Sequence, residues 1–167
     1  MTIQVGDRLP DGMLEEHNEI EQPGCPVGPT KLDVAELARG KKVVIIGLPG
    51  AFTPTCSAKH VPSYVQNFDA LRKKGVDEIW CISVNDVWVM AAWARDQQAT
   101  GKVRMLADGQ ADYTKKLGLE LDMSARGWGT RAKRYAMLVE DGVVKKLNVE
   151  APGKFEVSSA EAMLAQL

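Results

Sequence analysis

Histidine occurs only twice and cysteine three times in the 167 residues, too few and too scattered for a metal centre. His17 and His60 lie far apart, and no cysteine pair has zinc spacing. The cysteines, at 25, 56 and 81, are an odd and sparse set. They do not make a disulfide framework, and they fit a reducing compartment. No run approaches the 18 apolar residues that a membrane span needs. Neither sign of charge dominates: Lys and Arg number 21, Asp and Glu 22, for a net charge of −1. That balance gives no basic excess for nucleic acid or an anionic membrane. Met1-Thr2-Ile3-Gln4 lacks the basic stretch and apolar core of a secretory signal, which makes the cytoplasm the expected location. Internal repeats and low-complexity tracts are missing as well.

What is present is an ordinary soluble mixture, 45% hydrophobic and 26% charged, in a chain of one-domain size. The expectation is a single domain over 1–167. Gly6–Pro10 and Gln22–Pro29 are rich in Gly and Pro and read as irregular, with at most short strands. Lys31–Arg39 reads as a short helix closed at Gly40. Val43-Val44-Ile45-Ile46-Gly47-Leu48 is continuous and β-branched, the pattern of a strand buried on both faces.

After a turn at 49–55, the spacing of Val61, Tyr64, Val65, Phe68 and Leu71 predicts a helix from Cys56 or Ser57 to Lys74, ended by Gly75. Strands follow at Glu78–Val84 and Val103–Ala107, with helices at Asp86–Gln98 and Asp112–Leu117. Arg134–Glu140 and Val143–Val149 are strands around Asp141-Gly142, a type I′ hairpin signal. Ser158 or Ser159 caps a last helix, Ala160–Leu167. This order favours an α/β domain with a mixed central sheet flanked by helices, and a thioredoxin-like fold fits it.

The informative stretch is Pro49-Gly50-Ala51-Phe52-Thr53-Pro54-Thr55-Cys56, between the buried strand and a helix. α/β folds place functional groups at strand carboxyl ends. A cysteine in the first turn of a helix meets unpaired N–H groups and the positive dipole end, which favour the nucleophilic thiolate. Thr53 stands three residues earlier, where its hydroxyl can donate to sulfur or bond a peroxide oxygen. A cysteine there would have made a dithiol exchange motif. Pro49 and Pro54 stiffen the turn.

The competing reading of Cys56 is a buried structural thiol. That reading suits Cys81, inside Ile79–Val84, better; Cys25, in a Pro/Gly loop, stays undecided. A thiolate needs a cation, and Arg126–Arg134 offers several. Arg131 is the expected one, its planar guanidinium contacting sulfur and peroxide together. The competing reading of that stretch is a solvated basic loop. His60 shares a helix face with Cys56 and is expected to support substrate. Phe52 and Trp128 are expected to line an apolar approach.

These residues resemble those of the peroxiredoxins. Pro49-x-x-x-Thr53-x-x-Cys56 matches that family's active-site motif, and Arg131 is taken as its arginine. The string Pro49–Ser57 with His60-Val61-Pro62 is similar to the type-five subgroup. Further matches are Ser83–Asp86, Leu106–Gly109 and Arg134–Met137. The resemblance runs from about Gly6 to Leu167. It implies a thioredoxin-like fold with peroxiredoxin-type extensions and reduction of hydrogen peroxide or alkyl hydroperoxides without a cofactor. Cys56 attacks the peroxide and becomes a sulfenic acid. Some members carry a resolving cysteine near the C-terminal helix, but Glu156-Val157-Ser158-Ser159 holds none. The expectation is therefore a one-cysteine cycle resolved by glutathione with glutaredoxin, or by thioredoxin, with Cys25 as an alternative resolver. The resemblance also implies a homodimer. A thiol–disulfide oxidoreductase and a non-enzymatic redox sensor or chaperone on the same fold are the alternatives.

Overall fold

The β-branched run after Lys41 forms the central strand, β3 (Lys42–Gly47), and every residue in it beyond Lys42 is buried. The computed structural model describes residues 1–19, 23–24 and 27–167. β3 runs parallel to β4 (Glu78–Ser83), which runs parallel to β5 (Val103–Ala107). On its other side β3 pairs antiparallel with β8 (Tyr135–Glu140), itself paired with β9 (Val143–Val149). β1 (Met13–Asn18) and β2 (Gly28–Asp33) complete a mixed seven-stranded sheet in the order β2-β1-β5-β4-β3-β8-β9.

Alternation along the strands divides the core into two layers. Val44, Ile46, Ile79 and Cys81 face one side, packed with Tyr64, Leu71, Met90, Trp93 and Met163. Those five come from helices α2 (Val61–Gln66), α3 (Phe68–Lys73), α4 (Val87–Asp96) and α6 (Ala160–Leu164). Val43, Ile45, Trp80 and Ile82 face the other side, against α1 (Val34–Ala38) and α5 (Asp112–Leu117). Each fully buried aliphatic side chain contributes about 1.5–3 kcal/mol. The central strands therefore carry the sheet, and the loops at their carboxyl ends stand on a rigid base.

Gly47 is required by this packing. A Cβ there would lie 2.0 Å from the buried Tyr135 ring, across the antiparallel pair Gly47↔Tyr135. The expected hairpin is present, with Asp141 and Gly142 both at positive φ (48° and 78°), as a type I′ turn demands.

Three expectations need correction. β1 is a full six-residue strand in a stretch to which no element was assigned, and β2, also six residues, begins in the segment expected to be irregular and runs into the expected helix. Four of the six β1 residues are polar and β2 alternates half-buried with exposed, so neither carries a strong apolar signature. The helix expected over Lys31–Arg39 is shorter. Residues 31–33 belong to β2, and Asp33 caps α1 by accepting from the Glu36 N–H at 3.2 Å. The helix after the turn is not uniform either: Cys56–His60 is a π turn, and a break at Asn67 separates α2 from α3. Pro62 accounts for the wide turn, since a proline lacks the N–H and its ring clashes with the carbonyl four residues back. A small hairpin of β6 (Glu120–Asp122) and β7 (Thr130–Ala132), with a 3₁₀ turn at Ser124–Arg126, was not expected at all. Among the described residues no helix is long and apolar enough to cross a membrane.

Candidate active site around Cys56

The turn after β3 is held by its own backbone and by the next loop. Asn85 Oδ1 accepts from the Ala51 N–H at 2.9 Å and from Ser83 Oγ at 2.6 Å, tying the turn to the end of β4. Thr53 Oγ1 donates to the Gly50 carbonyl at 2.7 Å. Phe52 sits at φ 61°, a left-handed conformation unusual for an aromatic residue and of the kind that costs about 1–3 kcal/mol. Strain of this kind persists only where the surroundings fix the turn, and here both sides do.

Cys56 opens the π turn, fully buried. The Val61 N–H reaches back five residues to the Cys56 carbonyl. Trp93 Nε1 donates to Ser57 Oγ at 3.0 Å and anchors the same turn to α4. The cation at the sulfur is Arg134: its Nη2 donates to Cys56 Sγ at 3.3 Å. Its other terminal nitrogen, Nη1, lies 3.1 Å from His60 Nδ1. A guanidinium can only donate, so Nδ1 is the acceptor and the neutral ring carries its proton on Nε2. That proton is donated to the Ser158 carbonyl, 3.1 Å away, which also accepts from Tyr64 Oη at 2.8 Å. Burial, and then the neighbouring Arg134 charge, pull the His60 pKa down to about 3. The ring therefore stays a neutral acceptor across the physiological range.

The Ser158 carbonyl is itself held by a carboxylate. Glu150 accepts from the N–H groups of Glu156 (2.8 Å), Val157 (2.9 Å) and Ser158 (2.9 Å), and from Ser158 Oγ at 2.7 Å. Burial opposes the charged form, but these donors, Ser158 foremost, keep the carboxyl below its usual range. A continuous chain of polar contacts thus runs from Glu150 through the 156–158 backbone to His60, Arg134 and the sulfur.

The sequence-predicted residues are distributed unevenly around this centre. Cys56, Thr53, Pro49 and His60 come together at the turn. Thr53 differs in detail, because its hydroxyl donates to Gly50 and not to the sulfur. Arg131 is corrected. Its Nη1 donates to the Val84 carbonyl at 3.2 Å and its Nε to the Trp128 carbonyl at 3.1 Å. The reason is topological: Arg131 belongs to the separate β6–β7 hairpin, opposite Leu121. Arg134 directly precedes β8, whose first residue pairs with Gly47 at the end of β3, two residues before the turn. Arg131 has a different part in the turn: a Cβ on Gly50 would come within 2.9 Å of its Nη1. Phe52 and Trp128 stay at the surface, 52% and 39% exposed, with Phe52 tilted against Trp93. Cys25 lies outside the described residues.

Sequence reasoning missed two functional candidates, Arg134 and Glu150. Arg134 carried a usable signal, since it immediately precedes an apolar strand expected to join the central sheet. Glu150 carried none, because a carboxylate after a strand is ordinarily solvated.

Comparison with known proteins agrees with this geometry. The Redoxin family model matches residues 4–164. Peroxiredoxin-2B of Arabidopsis thaliana is 47% identical over 165 residues, which are 99% of this chain and 98% of the relative. The structure of reduced Prx3 from Vibrio vulnificus in complex with hydrogen peroxide superposes with a TM-score of 0.91 at 48% identity, covering 99% of each chain. Peroxiredoxin 5 from Alvinella pompejana superposes at 0.83 with 34% identity, over 98% of this chain and 96% of the other. A thioredoxin-like domain with a guanidinium on a buried cysteine thus coincides with full-length likeness to these enzymes, and the chain belongs to the peroxiredoxins, thiol-dependent peroxidases of the Redoxin family.

Proposed function

We propose that Cys56 is the peroxide-attacking nucleophile and that the cycle uses this one cysteine with an external thiol. The observation that carries the reading is the 3.3 Å contact between Arg134 Nη2 and Cys56 Sγ. A charge-assisted donor at the sulfur stands where the bond to oxygen must form, and the same fork can follow charge onto the departing oxygen. The sulfur attacks one peroxide oxygen, so an S–O bond forms as the O–O bond breaks. The other oxygen leaves with a proton, as water from hydrogen peroxide or an alcohol from an alkyl hydroperoxide. Neutral His60 holds Nη1 and so fixes the plane of the fork. Thr53, its proton committed to Gly50, keeps lone pairs to accept from the hydroperoxide O–H.

Resolution by glutathione with glutaredoxin, or by thioredoxin, follows from Ser158 and Ser159 standing where a second thiol would be needed. Cys81 is a poor resolver, because it lies in mid-strand and burial pushes its thiol well up. Placement in the type-five subgroup is supported by the string Pro49–Ser57. We also propose a cytoplasmic homodimer, with the exposed Phe52, Trp88 and Trp128 available as apolar surface.

The test is intact mass of reduced protein after one equivalent of hydrogen peroxide, with dimedone as a sulfenic acid trap. The expected adduct disappears in Cys56→Ser and survives Cys25→Ser. An adduct independent of Cys56 overturns the assignment. A loss of two hydrogens that vanishes in Cys25→Ser overturns the one-cysteine cycle.

A further inference from the structure

Arg134, bonded to the buried sulfur, also lines a cavity of about 240 Å³ whose outer residues the chemistry described so far does not use. Pro49 and Thr55 of the Cys56 turn and Arg134 form its inner wall, while Val149 contributes an apolar side. Lys133 and Lys154 also line it. Among the described residues neither ammonium has an ion pair or a side-chain hydrogen bond, unlike Lys41 and Lys42, which both face carboxylates. The one acid in the lining, Glu150, is occupied by the four donors of the 156–158 segment and offers these lysines no free carboxylate. The lining thus sets Lys133, Lys154 and Arg134 against the single carboxylate of Glu150, an excess of positive charge on a wall that includes the very residue, Arg134, bonded to the sulfur.

We propose that this cavity is a binding subsite for the resolving thiol, and that the thiol is a small molecule bearing a carboxylate. The inference rests on the one-cysteine reading above. Lys133 and Lys154 bind the carboxylate, and the apolar side takes the carbon chain, which brings the ligand's sulfur towards the Cys56 sulfenic acid. The thiol's sulfur then bonds to Sγ, and the S–O bond breaks. The hydroxyl leaves with the thiol's proton as water, giving a mixed disulfide on Cys56. A second thiol cleaves that disulfide, returning Cys56 as thiolate and releasing the symmetrical disulfide of the ligand.

The experiment follows mixed-disulfide formation on preformed Cys56 sulfenic acid by intact mass, using 3-mercaptopropionate, glutathione and 2-mercaptoethanol in parallel. The readout is the rate ratio of each carboxylated thiol to the neutral one. The ratio in Lys133→Gln/Lys154→Gln is expected to fall about fivefold below that of the unaltered protein, the scale of losing partly exposed ion pairs. Lys133→Arg/Lys154→Arg is expected to restore it, and added salt to lower it in the unaltered protein only. An unchanged ratio overturns the subsite, as does an equal loss for charged and neutral thiols. Failure to form any sulfenic acid on Cys56 overturns the parent reading instead, and the two failures are distinct in the same mass spectrum. A preference seen only when glutaredoxin is added assigns the lysines to a protein partner and overturns the small-thiol subsite.

Discussion

Cys56 and Cys81 are both fully buried and both belong to the same apolar layer of the core. Cys81 sits in the middle of β4, in register with Ile46 on one side and Met105 on the other. Burial pushes its thiol well up; the nearby Cys56 adds to that, and Arg134 only partly opposes it. Cys56 lies at the mouth of a strained turn, where its sulfur accepts directly from a guanidinium. Depth therefore does not sort the proposed nucleophile from a core thiol in this fold. What separates them is a cation within hydrogen-bond reach and a position where the sheet gives way to a helix.

If that contact is the source of the contrast, removing it has the largest effect. Arg134→Ala is expected to slow the peroxide step by about 10²–10³-fold, the range seen when a donor to developing charge is deleted. Arg131→Ala, which loses bonds to the Val84 and Trp128 carbonyls, is expected to cost less than about tenfold through loosening of the turn. Stopped-flow measurement of peroxide consumption under single-turnover conditions separates them. Equal losses in the two variants, or a loss of only a few-fold in Arg134→Ala, break the comparison.

The choice between those two arginines also marks how far the sequence could be read. The turn, its cysteine, its threonine and the strand before it were legible because each carries a local signal: a β-branched run, a proline-bounded loop, a helix beginning. His60 was legible as a neighbour of Cys56 four positions on. Selecting Arg134 over Arg131 needed strand pairing, since the two lie three residues apart in one basic stretch and only β8 joins β3. The Glu150 chain was invisible because it works through backbone N–H groups, which any residue supplies. The β1–β2 edge was illegible for another reason. The edge strand β2 and its neighbour β1 bury few side chains and so need few apolar residues; Leu14 is the only β1 residue that is fully buried. The π turn had one local cue, Pro62, which short-range periodicity does not weigh.

A smaller and more selective effect belongs to His60, whose neutral ring joins the Ser158 carbonyl to Arg134. Its pKa falls from an ordinary 6.5 in the unfolded chain to about 3 in the fold. The unfolded state therefore binds the extra proton first as pH drops. The stability this ring contributes is present above pH 6.5 and is lost progressively between 6.5 and 3, at up to about 1.4 kcal/mol per pH unit. His60→Gln removes the titration and keeps an amide for hydrogen bonding. Urea unfolding at pH 7, 6, 5 and 4 is expected to show a shallower acid limb in the variant. Glu150, with its carboxyl held low, adds its own loss only at the acidic end, and it does so in both proteins. Parallel limbs count against a buried neutral ring at this position.

Cys81 supplies the smallest expected change and the strictest check on the contrast. In the folded protein its sulfur is protonated and enclosed, so iodoacetamide at neutral pH is expected to label Cys56 while leaving Cys81 unmodified until urea is added. Cys81→Ala removes one buried sulfur from between β3 and β5, at a cost of about 1 kcal/mol in unfolding free energy, the scale of a small core deletion. Peroxide turnover with an external thiol is expected to stay within about twofold, because no step assigned to Cys56 passes through β4. A tenfold loss of turnover with intact stability brings Cys81 into the cycle. The sulfenic acid on Cys56 is then resolved from within the core, and neither burial nor mid-strand position protects a thiol in this protein.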